Sequence, residues 1–243
     1  MLPVVGVGCA PLAVTAEVGY ARLAIAGDLS LTSSGGTANA QDIGAAFGLG
    51  DGRDCPYGRV ALDAGLPEFG VTAFLLRESG SGTLSETFGG IPAGTTVTSD
   101  LEIGVARCTG ALGFDLGPVH VAPGMMFDVF AIDFRAASSP GNREEVDDVV
   151  AVPIPFVGLS APLFGLRASL EAGYLDPPDF AGFDGRFADL EASVRWEPAA
   201  HLQLHAGYRY LAVDGEGEGE SAADVVGLDL RITGWFVGVG LRF

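Results

Sequence analysis

The three histidines are the residues of this sequence best suited to acid–base chemistry. His201 and His205 are close together near Pro198, and Ser193 and Glu191 precede them in the chain. A serine nucleophile needs a histidine that takes its proton and a carboxylate that orients the imidazole ring. The sequence contains no His-x-Ser pair, and hydrogen-bonded structural histidines on the inner face of a strand explain this pair better than catalysis does. We therefore predict no catalytic residue.

Charged residues of both signs recur at every second position of several segments. Side chains two positions apart on a strand point to the same face. Seven acids and six arginines share this pattern: Arg59, Asp63, Asp100, Glu102, Arg167, Glu171, Asp189, Glu191, Arg195, Arg209, Asp229, Arg231 and Arg242. Such a near balance is what mutual ion pairing in an enclosed space requires. We predict that these side chains face the lumen of a barrel, and that Arg167 or Arg195 neutralises Glu171, Asp189 or Glu191.

Cysteine spacing and acid spacing argue against a metal site or a cofactor. The three cysteines form no Cys-x-x-Cys or Cys/His pattern, and the acids of segment 144–148 lack the spacing of a calcium-binding loop. We predict no metal and no cofactor. Cys55 and Cys108 are expected at opposite ends of the barrel, too far apart for a disulfide, so both are predicted to be free thiols.

The charge of the chain excludes one class of partner. The net charge is −18, and all 13 basic residues are arginine. A chain this acidic repels a phosphate backbone, so nucleic acid is not a partner. The clustered acids are expected to form a solvated surface on loops.

The first 16 residues differ from the rest of the chain. They have an apolar middle and end in Val-Thr-Ala at Ala16, which fits a signal-peptidase site without the basic start of a full signal. We interpret 1–16 as a truncated signal-peptide remnant and 17–243 as the folded domain. A lipidated Cys9 is the alternative, although the residues before Cys9 lack the usual Leu.

From Glu17 onward the hydrophobic pattern has period two and is typical of strands. About ten strands are predicted (range 8–12) in one antiparallel, up-and-down, all-β transmembrane barrel. Short connections at 66–70, 109–118, 160–163 and 197–200 alternate with long ones at 33–57, 79–96, 135–148, 176–184 and 214–224. A helical turn is expected within 38–49. This alternation is how bacterial barrels are built, with tight periplasmic turns and long outer loops, so both termini are predicted to be periplasmic.

Alternation alone does not distinguish a membrane barrel from a soluble, lipocalin-like one. The polar faces are rich in Gly and carry balanced charges, which favours a crowded lumen. Five aromatics mark strand ends on the apolar face, as interfacial girdles do: Tyr174, Trp196, Tyr208, Tyr210 and Trp235. The apolar face changes from even to odd numbers at Thr233–Gly234, which predicts a β-bulge there. We predict that the apolar face meets lipid.

The last residues carry the most specific pattern in the chain. Trp235, Val237, Val239, Leu241 and Phe243 alternate to the C-terminal Phe. This end resembles the recognition signal of outer-membrane barrels, which implies the barrel-assembly machinery as a partner. The segment FDGRFADLEASVRWEPAAHLQLHAGYRYLAV (183–213) resembles small outer-membrane β-barrel proteins of the opacity/OmpA-like type. That resemblance implies a fold and a location, the bacterial outer membrane with its lipid, but no activity.

The predicted function follows from the charged lumen. Ten strands enclose a lumen only slightly wider than that of eight-stranded barrels, which side chains fill. We expect a monomeric barrel plugged by Arg, Asp and Glu pairs, with a structural or surface-interaction role expressed through acidic loops. The alternatives are a narrow, low-conductance pore for small solutes and, further off, an enzyme that modifies outer-membrane lipid.

Overall fold

The computed structural model describes residues 12–32, 39–139, 141–176, 183–218 and 225–243. The strands and the one helix follow in chain order: β1 (Ala13–Thr32), β2 (Gln41–Asp42), α1 (Ile43–Phe47), β3 (Arg53–Asp63), β4 (Pro67–Thr83), β5 (Thr96–Leu112), β6 (Phe114–Leu116), β7 (Val119–Ser138), β8 (Arg143–Leu163), β9 (Leu166–Leu175), β10 (Phe183–Ala199), β11 (Leu202–Glu218) and β12 (Val225–Arg242). No described helix has the length and apolarity needed to span a membrane.

Ten of these strands form one closed antiparallel barrel in up-and-down order, which confirms the predicted fold. Each barrel strand pairs with its neighbour in the chain, and β12 pairs with β1 from Thr15↔Arg242 to Thr32↔Val225. The short strands β2 and β6 pair with β1 and β7 respectively and are not part of the barrel wall. Among the described residues every barrel strand is paired on both sides along part of its length, and this pairing is what allows a sheet to stand in lipid.

The described connections agree with the predicted alternation, with one exception, while most of the predicted loops 176–184 and 214–224 and part of 33–57 lie outside the described residues. The turns at 64–66, 164–165 and 200–201 are tight, and Val14 and Phe243 exchange backbone hydrogen bonds at the same end of the barrel. The predicted long loop at 135–148 is wrong, because β7 continues through it to Ser138 and β8 begins at Arg143. Its charged residues form ion pairs between strands, as in Arg135–Glu145 at 2.9 Å, and this pairing keeps a polar segment extended.

The helical turn expected within 38–49 is present as α1. Its N-cap is Asp42, whose carboxylate accepts a hydrogen bond of 2.7 Å from the backbone N–H of Ala45. Gly48 ends the helix in the left-handed conformation (φ 69°), which an L side chain adopts only at a cost. The helix lies against the inner barrel wall, where Ile43, Ala46 and Phe47 are buried.

The outer surface has two zones along the barrel axis. The half nearer the tight turns, which we call the short-turn half, presents apolar side chains outward. Its exposed large residues include Val18, Tyr20, Val60, Phe69, Val71, Met125, Phe127, Leu170, Leu190, Val194, Trp196, Leu204, Tyr208, Trp235, Val237 and Val239. The other half, the long-loop half, presents charges outward, such as Arg77 paired with Glu102 at 2.8 Å. Only the short-turn half therefore has the surface that lipid requires.

The interior has the opposite distribution. The long-loop half encloses a hydrophobic core, in which Phe47, Phe88 and Phe134 meet with ring centroids 4.9–5.8 Å apart. The short-turn half encloses most of the buried charged residues, described below. Each strand crosses from one half to the other without changing which of its side chains point inward.

This continuity corrects the bulge predicted at Thr233–Gly234. β12 pairs with β1 and β11 in unbroken register through these residues. Even-numbered side chains point inward along the strand, so Ile232 and Phe236 are both buried while Arg231 and Trp235 are exposed. The apolar face changes at this point because the outside of the barrel changes from water to lipid.

Candidate functional site

The candidate site is a group of seven charged side chains across the middle of the lumen, which we call the central ion cluster. Its members are Arg59, Arg107, Asp128, Glu171, Asp189, Glu191 and Arg209. They come from β3, β5, β7, β9, β10 and β11, where inward positions alternate with outward apolar residues. Three arginines face four carboxylates, so the cluster comes close to compensating its own charge.

Arg59 connects opposite walls of the barrel. It donates to Glu171 on β9 at 2.8 Å and to Glu191 on β10 at 2.9 Å. In the order around the barrel, β3 and β9 are separated by four strands on either side. Arg59 therefore reaches across the full width of the lumen, and its two ion pairs join walls that share no backbone hydrogen bond.

Arg107 is the centre of the cluster. Its side chain is 1% exposed, and it donates to Asp189 at 2.9 Å and to Glu171 at 3.1 Å. Asp128 on the neighbouring strand lies 3.7 Å from the guanidinium. A buried arginine is stable only when carboxylates surround it, because unpaired burial of a charge costs several kcal/mol.

Arg209 completes the cluster towards the long-loop half. It donates to Asp189 at 2.8 Å, and its guanidinium carbon lies 5.1 Å from the ring centre of Phe74. This cation–π contact connects the charged layer to the apolar core above it.

A smaller buried group, the Glu17 group, lies beside the cluster. Glu17 on β1 is 2.8 Å from His205 and 3.4 Å from Arg195. Tyr57 and His205 both pack against Phe236, at centroid distances of 4.8 and 5.0 Å. His205 is thus a luminal histidine that faces a carboxylate, in keeping with the structural role that the sequence favoured. His201 lies instead in the exposed turn between β10 and β11, where it contacts the carbonyl oxygen of Arg242.

A cavity of about 510 Å³, which we call the vestibule, lies at the short-turn end of the barrel. Polar lining residues include Thr15, Arg59, Asp63, Glu68, Asp115, His120, Ser160, Arg167, Ser169, Glu171, Arg195 and Arg242. Because Arg59 and Glu171 belong to the central ion cluster, the vestibule reaches the cluster.

His120 lies at the rim of the vestibule in the β6–β7 hairpin, beyond the end of β5. Its ring nitrogens are 2.8 Å from Asp115 and 2.6 Å from Glu68. Partial burial acts to lower the pKa of His120, but the hydrogen bonds to the two carboxylates outweigh it and raise the pKa above its usual value. The contacts of this ring join the hairpin to the start of β4.

The structure brings five of the predicted luminal charges into the central ion cluster: Arg59, Glu171, Asp189, Glu191 and Arg209. Arg195 also faces the lumen, in the Glu17 group, and Asp63, Arg167 and Arg242 line the vestibule. The acids Glu171, Asp189 and Glu191 are paired with Arg59, Arg107 and Arg209, not with Arg167 or Arg195 as hypothesised.

Four predicted luminal charges lie on the outer surface instead. They are Asp100, Glu102, Asp229 and Arg231, all in the long-loop half. Glu102 pairs with Arg77 outside the barrel, and Arg231 lies 3.5 Å from Asp229 with both side chains well exposed. The prediction failed because these residues stand in water, where the polar face of a strand points outward.

Three buried charged residues of the lumen were not predicted: Arg107 and Asp128 of the central ion cluster, and Glu17 of the Glu17 group. Arg107 is in phase with Leu101, Ile103 and Val105, a face that the sequence pattern assigned to lipid. One feature of the sequence could have identified Arg107 as luminal. An arginine at the end of an otherwise apolar face indicates that this face points into the barrel.

The C-terminal pattern lies on the outside of the barrel. Trp235, Val237, Val239 and Leu241 project outward from β12 and are exposed, as is Phe243 at the end of the chain. Their proposed part in barrel assembly stays a prediction.

The free cysteines and the histidine contacts agree with a site built for ion pairing. Cys55 and Cys108 are both free thiols, as predicted. Within the described ranges, the recorded partners of the three histidines are carboxylates and a backbone carbonyl, and no group of His, Cys, Asp or Glu is arranged to hold a metal ion.

Comparison with known proteins shows relationships of fold only. No protein-family model and no curated protein matches the chain. The outer membrane protease OmpT from Escherichia coli is similar in structure, with a TM-score of 0.57, 9% identity, and coverage of 95% of this chain and 97% of that chain. The translocator domain of the autotransporter NalP from Neisseria meningitidis (TM-score 0.42, 14% identity, 98% and 90% coverage) and Ail from Yersinia pestis (0.37, 11%, 96% and 99%) are more distant. The chain is a small β-barrel of the outer-membrane type.

Proposed function

We propose that this protein is a closed barrel of the outer membrane with a structural or surface-interaction role, and that it is neither a porin nor an enzyme. The ion pairs that Arg59 makes across the lumen carry the proposal. They join opposite walls, and Arg107 fills the space between them. A ten-stranded lumen is narrow enough for such side chains to close it.

A second barrier supports the same conclusion. Above the cluster, α1 and the segment around Phe88 add apolar side chains to the hydrophobic core of the long-loop half. Water and ions crossing the barrel would have to pass both a layer of paired charges and a layer of packed aromatic rings. The side chains of the first layer occupy the lumen and attract one another, and the apolar rings of the second offer no hydrogen bonds to water.

The orientation follows from the two ends. In bacterial barrels the tight turns are periplasmic, so we place the short-turn end and both termini in the periplasm. The long-loop half, with its charged outer face, then projects into water beyond the outer leaflet. Its partners would meet an acidic surface, in keeping with the net charge of −18. The protein is proposed to act as a monomer, surrounded by lipid and assembled through its C-terminal strand.

OmpT is described as a protease, but the likeness of the two barrels is one of fold. In this chain His205 is buried against Glu17, and His120 is held between two carboxylates. These contacts support a structural role for both histidines.

Conductance across a planar lipid bilayer tests the proposal. The refolded protein should insert, as flotation with vesicles would show, and give no discrete current steps. An unrelated open porin is the positive control for the bilayer. Steady, discrete conductance from the inserted wild-type protein would contradict a closed lumen and favour the narrow pore.

A further inference from the structure

Two arginines stand directly opposite each other on the wall of the vestibule. Arg167 on β9 and Arg195 on β10 are register partners, and both line the cavity. Like charges directly opposite on neighbouring strands repel. Arg195 is 21% exposed and Arg167 is open to solvent, and an anion bound between the two would relieve their repulsion.

The carboxylates nearby are already engaged. Glu171 is shared by Arg59 and Arg107, and Glu17 contacts His205 at 2.8 Å and Arg195 at the longer distance of 3.4 Å. The buried Nε of Arg195 has no hydrogen-bond partner among the described residues.

Arg167 has no charged partner among the recorded contacts of the described residues. In the described part of the chain its recorded hydrogen bond goes to a neutral group, the hydroxyl of Ser160, at 3.2 Å. The guanidinium group carries five N–H donors, so most of its donors remain available to a ligand.

Hydroxyl groups lie one step deeper into the barrel. Ser160, Ser169 and Ser193 are register partners across β8, β9 and β10. Ser160 and Ser169 line the vestibule together with the two arginines. Planar guanidinium groups match the oxygens of phosphate in paired hydrogen bonds, and hydroxyls donate to the oxygens that remain.

We propose that the vestibule binds a small phosphate-bearing anion between Arg167 and Arg195, with the serine row beneath it. The cavity of about 510 Å³ lies within the range of small-molecule sites and has room for inorganic phosphate or a small phosphate ester. A dianion neutralises two arginines at once, which relieves their repulsion. The site lies on the inside of the wall, so a soluble anion fits it better than a headgroup in the surrounding membrane.

Isothermal titration of the refolded protein with inorganic phosphate, in non-ionic micelles and at constant ionic strength, tests the proposal. Arg167→Gln and Arg195→Gln should each weaken phosphate binding by about tenfold to a hundredfold, because each removes charged hydrogen bonds to the ligand. Arg186→Gln is the matched control, since Arg186 pairs with Asp214 on the outer surface of the long-loop half. It should bind phosphate as the wild type does.

Thermal unfolding adds a second readout. Phosphate should raise the melting temperature of the wild type and not that of Arg167→Gln, which without phosphate should be at least as stable because the repulsion is gone. Since the recorded hydrogen bond of Arg167 within the described residues goes to a neutral hydroxyl, this variant carries the test if Arg195→Gln fails to fold.

Three results would overturn the proposal. The first is the absence of phosphate binding to the wild type. The second is equal weakening in Arg186→Gln, which would indicate non-specific attraction. The third is stabilisation by phosphatidylglycerol added to the micelles without any effect of free phosphate, which would place the anion on the membrane side. None of these results depends on conductance, which tests the proposed function. The phosphate site can therefore be disproved while the closed barrel stands, and the closed barrel can be disproved while the phosphate site stands.

Discussion

The two halves of this barrel are built from the same strands and obey opposite rules. In the long-loop half, Leu76 is 0% exposed inside and charged residues such as Arg77 point out. In the short-turn half, Leu190 is 41% exposed outside and charged residues such as Asp189 point in. The first arrangement is that of a soluble barrel, and the second is that of a membrane barrel.

The difference shows that the solvent outside a strand decides which of its faces is apolar. Where water surrounds the wall, apolar side chains gain by burial inside, at about 25 cal/mol per Å². Where lipid surrounds the wall, apolar side chains outside are already satisfied, and the lumen is free to hold polar groups that pair with each other. The change occurs within single strands, as from Ile232 to Trp235 in β12.

Removing the central cation should have the largest effect. Arg107→Ala leaves the carboxylates of Asp189 and Glu171 without their shared partner inside the short-turn half. We expect a loss of about 3–5 kcal/mol in the free energy of unfolding, because a buried charge is left uncompensated. Urea unfolding in micelles measures it. Arg231→Ala, on the outside of the long-loop half, should cost about 1 kcal/mol or less. Equal losses would show that the lumen is wet and the two halves alike.

A cation placed on the outer surface should distinguish the two zones. Leu190→Arg puts a charge against hydrocarbon and should cost about 2–4 kcal/mol near the bilayer midplane. Thr98→Arg puts the same charge on the outside of the long-loop half, where Thr98 is exposed, and should change stability by about 0.5 kcal/mol or less. Unfolding in lipid vesicles compares them. A harmless Leu190→Arg would contradict the lipid assignment.

A larger apolar residue should cost more stability in the long-loop half than in the short-turn half, which is the reverse of the order expected for a cation. Leu76→Phe overfills the hydrophobic core of the long-loop half, where Leu76 is fully buried, and should cost about 1–3 kcal/mol. Leu190→Phe should be nearly neutral, since lipid requires apolarity but no particular shape. The same unfolding measurement applies to both variants. If Leu190→Phe were the more damaging of the two, the apolar face of the short-turn half would be packed core, as in a soluble barrel.

The smallest effect concerns pH at the rim of the vestibule. The pKa of His120 is raised in the folded protein by its bonds to Asp115 and Glu68, so protonation stabilises the fold. This contribution is fully present below the ordinary value of 6.5 and is lost as the pH rises through the raised pKa. Because the ring is partly exposed, we expect less than about 1 kcal/mol. The pH dependence of unfolding should be flatter in His120→Asn, and an unchanged profile would contradict the role of this contact.

The sequence predicted the strands well because a period of two is a local property. The ten strands, the C-terminal β12 and the outward aromatics Tyr174, Trp196, Tyr208 and Trp235 all followed from alternation. The loop predicted at 135–148 was wrong because ion pairs such as Arg135–Glu145 act between strands and leave no local signal.

The candidate site was only partly predictable for the same reason. Arg59, Glu171 and Asp189 were recognised as luminal from their phase in strands whose apolar face meets lipid. Arg107 was missed because its strand carries apolar residues on the inner face, and the carboxylates that accept its hydrogen bonds, Glu171 and Asp189, lie 64 and 82 positions further along the chain. No short segment contains both ends of such a pair.

By itself, the sequence determined that the chain forms an antiparallel barrel with one apolar and one polar face along each strand. Alternation fixes two faces but does not say which one points inward. Only the closed structure decided which face points inward, because it sets the level at which each strand leaves lipid and enters water. At that level the inward face changes from polar to apolar. The closed structure also brought Arg59 within hydrogen-bonding distance of Glu171 on the opposite wall. That contact depends on the diameter of the barrel and the register of all its strands.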